Sequence, residues 1–354
     1  MIELSKLQEF NPPAGWIQIQ TIDAHTGGEP LRVILSGFPE LKSPSILSKR
    51  KELLLNHDYL RRVLMWEPRG HMDMYGALLV EPELPSSDIG VIFMHNNGYS
   101  TGCGHAIIAL VKLFIEAEVV PLSEPITQIS IETPSGLITA FANIKNRSDI
   151  KIYFENVPSF VQALDAKIDV PSIGKVGYDL AYGGAFYAIV NAKDLGLKLK
   201  YEYLDEIISY GRKIKKAISK NVDCSHPLVP EMNNLYGTIF VDSSDKLECH
   251  SKNICIFADG ELDRSPTGTG VSARAAVEFI RGNLKINKTI NIESITGAIF
   301  NVTPKKIISL KNKKAIISNV GGNASLTGKS TFWIDPNDPL KDGFLLKDNI
   351  KRKA

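Results

Sequence analysis

Residues 16–22 alternate apolar and polar side chains, the two-residue period of a half-buried strand. The turn His25-Thr26-Gly27-Gly28-Glu29-Pro30 follows, then a second strand over 31–35, while residues 1–14 read as a loose arm ending in Pro12-Pro13. Between 46 and 66, leucines and Met65 recur at helical spacing among charges, which predicts one amphipathic helix ended by Glu67-Pro68-Arg69-Gly70-His71. Ala77-Leu78-Leu79-Val80 predicts a strand. The stretch from Val91 to Leu110 reads as a buried strand, a polar glycine-rich turn and a helix apolar on every face. A hairpin over 131–140 and a strand over 149–157 close this first unit.

The same grammar then returns. Strand, Gly183-Gly184 turn and strand recur over 179–190, an amphipathic helix over 201–220 and a strand over 235–241. The apolar run Asn253-Ile254-Cys255-Ile256-Phe257-Ala258 leads through a glycine-rich turn into a small-residue helix from Gly270, and 292–300 echoes 131–140. Gly28, Cys103 and Gly136 thus have counterparts in Gly184, Thr267 and Gly297, in one order and at similar spacing, which indicates two similarly folded halves. We expect an N-terminal half over 1–172, a C-terminal half over 173–328, and a tail over 329–354, with Trp333 and Phe344, that crosses back onto the first half. A ligand site between paired domains is the natural expectation.

Composition narrows the function. A net charge of +2, from 41 basic and 39 acidic residues, leaves no electrostatic footprint for nucleic acid. The one basic cluster, the tail 347–353, reads as a solvated end. The N-terminus lacks the pattern of a signal peptide and no run approaches the length of a membrane span, so a soluble, cytoplasmic protein is expected. Four cysteines in 354 residues do not make a disulfide framework.

The chemistry concentrates at the two helix starts. Amides in a first helical turn lack intrahelical acceptors and the peptide dipoles add positive charge there, so Cys103 stands where a thiolate and an anionic ligand are both favoured. A buried structural thiol is the alternative reading. His105 either donates a hydrogen bond to a ligand or is a surface histidine. Asp263-Arg264-Ser265-Pro266 before Thr267 would serve as an ordinary capping loop, or Asp263 takes a substrate ammonium while the Gly268 and Thr269 amides take its carboxylate, a two-ended clamp for an amino acid. Cys249, His250 and Cys255 match no common zinc spacing, so no metal is expected. His25 and His71 either line the cleft or cap turns.

Several blocks resemble the signature of the proline racemase family: His25 to Pro30, Glu67 to His71 with Asp73-Met74-Tyr75-Gly76, Met94-His95-Asn96, Gly98-Tyr99-Ser100-Thr101 with Cys103-Gly104-His105, and Asp263 to Pro266 with Gly268-Thr269-Gly270. The resemblance implies an α/β fold, α+β in its mixture, of the diaminopimelate-epimerase-like type. In it two pseudo-symmetric halves each wrap a curved mixed sheet around a central helix, with the active site in the cleft between them. It also implies cofactor-independent chemistry at an α-carbon, with Cys103 as acid and base, Gly104, His105, Gly268 and Thr269 on the carboxylate, Asp263 on the nitrogen, and Tyr75 and Phe257 as walls. A homodimer is a further implication. Family members that racemise or epimerise carry a second cysteine where this chain has Thr267, and Gly102 replaces the methionine usual before the thiol.

That substitution directs the reaction. A hydroxyl is far less acidic than a thiol, whose pKa is about 8.5, so a two-base racemisation cycle is crippled. Elimination needs one base. Thr267 at that place resembles the pattern of family members that dehydrate trans-3-hydroxy-L-proline, so the leading expectation the resemblance implies is a hydro-lyase that converts that compound to Δ1-pyrroline-2-carboxylate. Proline racemase or 4-hydroxyproline 2-epimerase activity is the alternative, and a non-catalytic binder of proline-type amino acids is a second.

Overall fold

The computed structural model describes residues 3–146, 149–230 and 232–346, so the basic tail 347–353 lies outside the described residues. A short helix, α1 (Ser5–Gln8), precedes β1 (Ile17–Thr26) and β2 (Glu29–Ser36). Next come α2 (Ile46–Asn56), α3 (Asp58–Met65), β3 (Tyr75–Val80), β4 (Ile89–His95) and β5 (Gly98–Ser100). The central helix α4 (Gly104–Glu116) follows, then β6 (Ile126–Thr133), β7 (Gly136–Asn146) and β8 (Asp149–Glu155).

The second series repeats the first. It runs β9 (Ser159–Val170), β10 (Gly174–Tyr182), β11 (Phe186–Asn191), α5 (Leu204–Asn221), β12 (Leu235–Asp242), β13 (Ser251–Phe257) and β14 (Glu261–Asp263). Then come α6 (Gly268–Ile280), β15 (Ile290–Glu293), β16 (Ile299–Leu310), β17 (Lys313–Gly322) and β18 (Ala324–Ile334).

Strand directions repeat as well. β1–β2 is antiparallel, β2–β3 parallel, β3–β4 antiparallel and β4–β6 parallel. β10–β11, β11–β12, β12–β13 and β13–β15 follow the same sequence of directions. Each series is completed by a strand from the other part of the chain or from the link between them: β18 lies antiparallel on β1, and β9 on β10. β8 pairs with β17 where the two sheets meet. The two pseudo-symmetric halves of the diaminopimelate-epimerase-like fold are therefore present.

Sheet curvature explains the apolar helices. In α4, residues 104–111 and 113–115 are all buried, and in α6 every residue from Gly268 to Val277 is, because strands enclose each helix on all sides. A second, smaller core forms outside the first sheet, where Leu53, Leu60, Val63 and Leu64 of α2 and α3 pack on Ile34, Ile92 and Met94. The expected single helix over 46–66 is two. α2 ends at His57, whose backbone (φ −136°, ψ 15°) leaves the helix, and Asp58 starts α3 by pairing with Arg61 at 2.7 Å. The second amphipathic helix begins with a 3-10 turn at Tyr201–Tyr203 before α5.

Candidate active site

The two central helices meet mouth to mouth. A β-carbon built on Gly104 would fall 2.5 Å from the Gly268 Cα, and one built on Gly268 would fall 2.5 Å from the Gly104 Cα, so each start is glycine because the other's backbone occupies the space. Cys103 caps α4 in an extended conformation, and its sulfur accepts the Ala106 N–H at 3.4 Å. Thr267 caps α6 differently, at φ 69° and ψ 95°. A β-branched residue is strained there, at a cost on the order of 1–3 kcal/mol. The two mouths thus differ in backbone as well as in side chain, a difference that residue types alone do not disclose.

Polar bonds lock the halves together around these mouths. Thr101 Oγ donates to the Gly184 carbonyl at 3.2 Å and Thr296 Oγ to the Gly27 carbonyl at 2.7 Å, while within the first half Thr26 Oγ ties β1 to the His105 carbonyl at 2.8 Å. Arg264 reaches from the second half to Glu29 at 3.5 Å and to Asp73 at 3.3 Å in the first. Cys103 and Thr267 are only 7% and 4% exposed, so the cleft is closed over both.

Closure reverses one expectation. Burial pushes the Cys103 thiol well above its ordinary range, and the nearby Asp263 and Glu29 carboxyls push the same way, against the lowering by the Ala106 N–H and the Tyr75 hydroxyl. The helix start alone does not set the thiol's acidity. His105, expected to face a ligand, lies with its Nδ1 3.2 Å from the Cys103 sulfur and its ring edge-on to Tyr75 at 4.8 Å. Burial lowers its pKa to about 3, so the imidazole is neutral.

Opposite the thiol stands Asp263 at the end of β14. Its Oδ1 accepts the Ser265 N–H at 2.7 Å, and burial pushes its pKa up to about 6. Glu29, wholly buried, accepts the Arg264 N–H through Oε2 at 2.7 Å while Oε1 finds no partner, and burial followed by the proximity of Asp263 raises its pKa strongly. The Thr267 hydroxyl is buried and makes no hydrogen bond of ordinary geometry, although it is near enough to Asp263 and Cys255 to favour their charged forms. Thr269 Oγ is 2.6 Å from the Tyr187 hydroxyl, and the amides of Gly268 and Thr269 open the first turn of α6.

Aromatic rings enclose the remaining side. Tyr75 and Phe257 are 6.5 Å apart between ring centres, Phe257 stacks on Tyr236 at 5.3 Å, and His95 packs on both walls. His95 Nδ1 also meets Glu261 Oε1 at 3.3 Å across the cleft. A cavity of 380 Å³ adjoins this wall at His95 and Tyr236 and runs past Asn97, Lys215 and Cys224.

The structure therefore gathers Cys103, Gly104, His105, Tyr75, Asp263, Thr267, Gly268, Thr269 and Phe257 at one place. Sequence reasoning gave no role to Glu29 or His95, which stand in the quoted blocks, nor to Tyr187, Tyr236 or Glu261. One signal was available for Tyr236: Tyr236-Gly237 stands in β12 as Tyr75-Gly76 does in β3. His25, near the end of β1, caps the turn by accepting the Gly28 N–H at 3.3 Å, and His71, in the loop before β3, bonds the Met72 carbonyl at 2.6 Å. All four cysteines are free, and among the described residues no group of three or more His, Cys, Asp or Glu side chains is arranged to hold a metal. Among those residues, too, no helix is long and apolar enough to cross a membrane.

Chemically, the arrangement offers one ionisable thiol on one side of a closed cleft and a hydroxyl on the other. Amide donors lie at both mouths, carboxyls suit a cation, and flat walls suit a small ring. Known proteins share this frame. The family model described as proline racemase matches residues 21–345. The trans-3-hydroxy-L-proline dehydratase of Colwellia psychrerythraea is 47% identical over 345 residues, covering 97% of each chain. The enzyme of the same name from Homo sapiens is 43% identical over 335 residues, covering 93% of this chain and 95% of that one. Among solved structures, a hydroxyproline epimerase from Agrobacterium vitis with bound trans-4-hydroxy-L-proline matches with a TM-score of 0.89 at 28% identity, covering 95% of this chain and 97% of that one. A probable proline racemase from Agrobacterium radiobacter K84 matches with a TM-score of 0.87 at 31% identity, covering 93% and 97%. The chain belongs to the proline racemase family.

Proposed function

We propose that this protein is a cofactor-independent hydro-lyase that converts trans-3-hydroxy-L-proline to Δ1-pyrroline-2-carboxylate. The observation that carries the reading is the inequality of the two helix mouths, a thiol at Cys103 and a hydroxyl at Thr267, within a frame whose full-length relatives include proteins named for this activity. We take residues 1–172 and 173–328 as the two units that supply the opposed groups.

The chemistry follows from the stereochemistry of the ring. In trans-3-hydroxy-L-proline the carboxylate and hydroxyl lie on opposite faces, so the α-hydrogen and the hydroxyl share a face. Amides of Gly104, His105, Gly268 and Thr269 hold the carboxylate and stabilise the charge that develops on it as the α-carbon loses its proton. Asp263 holds the ring ammonium, whose positive charge offsets part of the burial that keeps Cys103 protonated. The Cys103 thiolate takes the α-hydrogen from the ring face that also carries the departing hydroxyl. The enamine so formed tautomerises to the imine. Thr267 orients substrate or a water, and Tyr75 and Phe257 flank the ring.

A panel of L-proline, trans-4-hydroxy-L-proline and trans-3-hydroxy-L-proline, read by an imine-reactive amine and by chiral chromatography, tests the reading. Imine is expected from the 3-hydroxy compound alone, and to vanish after alkylation of the thiol. Epimers of the other two without imine from the third would replace the reading with an epimerase.

Two further outcomes follow. Asp263 is charged above about pH 6 and neutral below it, and a substrate ammonium binds the charged form. KM is therefore expected to rise as pH falls through that value, and a KM flat from about pH 8 to 5 would remove Asp263 from the clamp. Thr267→Cys restores an ionisable group to the second mouth. It is expected to add epimerisation of proline-type substrates, detected as D-isomer, and a variant with no D-isomer would show that the second mouth is not across the ring from Cys103.

A further inference from the structure

The two aromatic walls are unlike. Phe257 is plain, whereas Tyr75 carries a hydroxyl that stacking does not need and whose burial is unfavourable unless it is hydrogen-bonded. Tyr75 is 2% exposed, and its hydroxyl is hydrogen-bonded to Ser100 Oγ, itself 3% exposed. The same phenol interacts with the Cys103 sulfur and with Tyr236. The Tyr75 hydroxyl thus lies against the thiol, in the half that carries it, with Ser100 behind it and Tyr236 meeting it from the second half.

That placement answers a difficulty in the reaction. A thiolate that is accepting the α-hydrogen has no proton to give until the transfer is complete, yet a hydroxyl leaves a carbon readily only as it is protonated. A second group on the same face lets both events proceed together.

We propose that the Tyr75 hydroxyl, supported by Ser100, is the acid that protonates the departing 3-hydroxyl; the assignment rests on the dehydratase reading above. The α-hydrogen passes as a proton to the Cys103 sulfur, and its bonding pair becomes the new C2–C3 π bond. The C3–O pair leaves with the hydroxyl, which takes the phenolic proton and departs as water. Tyr75 recovers a proton from the Cys103 thiol, returning both groups to their starting states, and nothing is oxidised or reduced. Ser100 and Tyr236 stabilise the transient phenolate. Burial holds the phenol in its protonated form, as a donor requires.

Tyr75→Phe keeps the wall and removes the acid. The test compares trans-3-hydroxy-L-proline with trans-3-fluoro-L-proline, whose fluoride leaves as an anion and gives the same imine. With the hydroxy substrate, kcat is expected to fall about 10²-fold in Tyr75→Phe, the lower end for loss of a general acid, and with the fluoro substrate by less than about fivefold. Ser100→Ala should show the same selectivity at smaller size, and it serves if Tyr75→Phe folds poorly. Equal losses on both substrates, or no loss on either, would overturn the assignment. Wild-type protein that makes no imine from trans-3-hydroxy-L-proline would instead overturn the dehydratase reading itself.

Discussion

Replacing Cys103 by serine is expected to lower kcat for dehydration by roughly 10³-fold or more, because the residue handles the proton on which every later step depends. The variant is informative because little else changes. Serine is a good helix cap, so its hydroxyl can accept the Ala106 N–H that the sulfur now accepts at 3.4 Å, and thermal stability should hold or rise slightly. A serine hydroxyl needs a neighbouring base to act. The nearest candidate is His105, 3.2 Å from the sulfur, but burial lowers its pKa to about 3 and makes it a poor proton acceptor. Turnover, melting temperature and calorimetric binding of L-proline should therefore separate cleanly: activity lost, fold and binding kept. Turnover within about tenfold of wild type would refute the assignment of the base.

A methyl group at the meeting point of the helices should be nearly as damaging. Gly268→Ala puts a β-carbon 2.5 Å from the Gly104 Cα and 3.0 Å from its carbonyl carbon, and because both are backbone atoms no side chain can swing aside. The helix starts must separate. Overpacking of this kind costs about 1–3 kcal/mol of stability, read as a lower melting temperature. The catalytic loss is the larger effect, since moving one amide clamp about 1 Å from the other mouth can cost about 10²-fold in kcat/KM. Full activity and unchanged stability in this variant would mean that the two mouths do not form one site.

The repeat was legible because its landmarks are local. Gly27-Gly28 and Gly183-Gly184, the glycine-rich turns, and two helices apolar on every face are visible in short windows, and they specify two strand-enclosed helices. The break at His57 was not, since Asn56, His57 and Asp58 are all tolerable inside a helix and only the backbone shows the turn. The pairing of β18 on β1 spans most of the chain, which no window contains, whereas β9 reaches β10 through a local hairpin.

Within the site the division is similar. Cys103 and Thr267 were found because each follows a turn at a helix start. Glu29, His95 and Glu261 were missed because their significance lies in contacts between the halves, such as the His95–Glu261 pair at 3.3 Å. The acidity of Cys103 was misjudged for a physical reason: the helix-start amide is a local feature, whereas the burial that outweighs it comes from both sheets closing over the sulfur.

The central claim is that protons enter and leave the bound ring from the Cys103 side alone. Incubation of trans-3-hydroxy-L-proline in deuterium oxide, followed by chiral separation of unreacted amino acid and detection of the imine, tests it directly. The account predicts imine as the product and recovered amino acid solely of the original configuration at the α-carbon, whether or not deuterium has entered there. An inverted, deuterated α-carbon accumulating alongside or instead of the imine would show a working acid at the Thr267 mouth and contradict it.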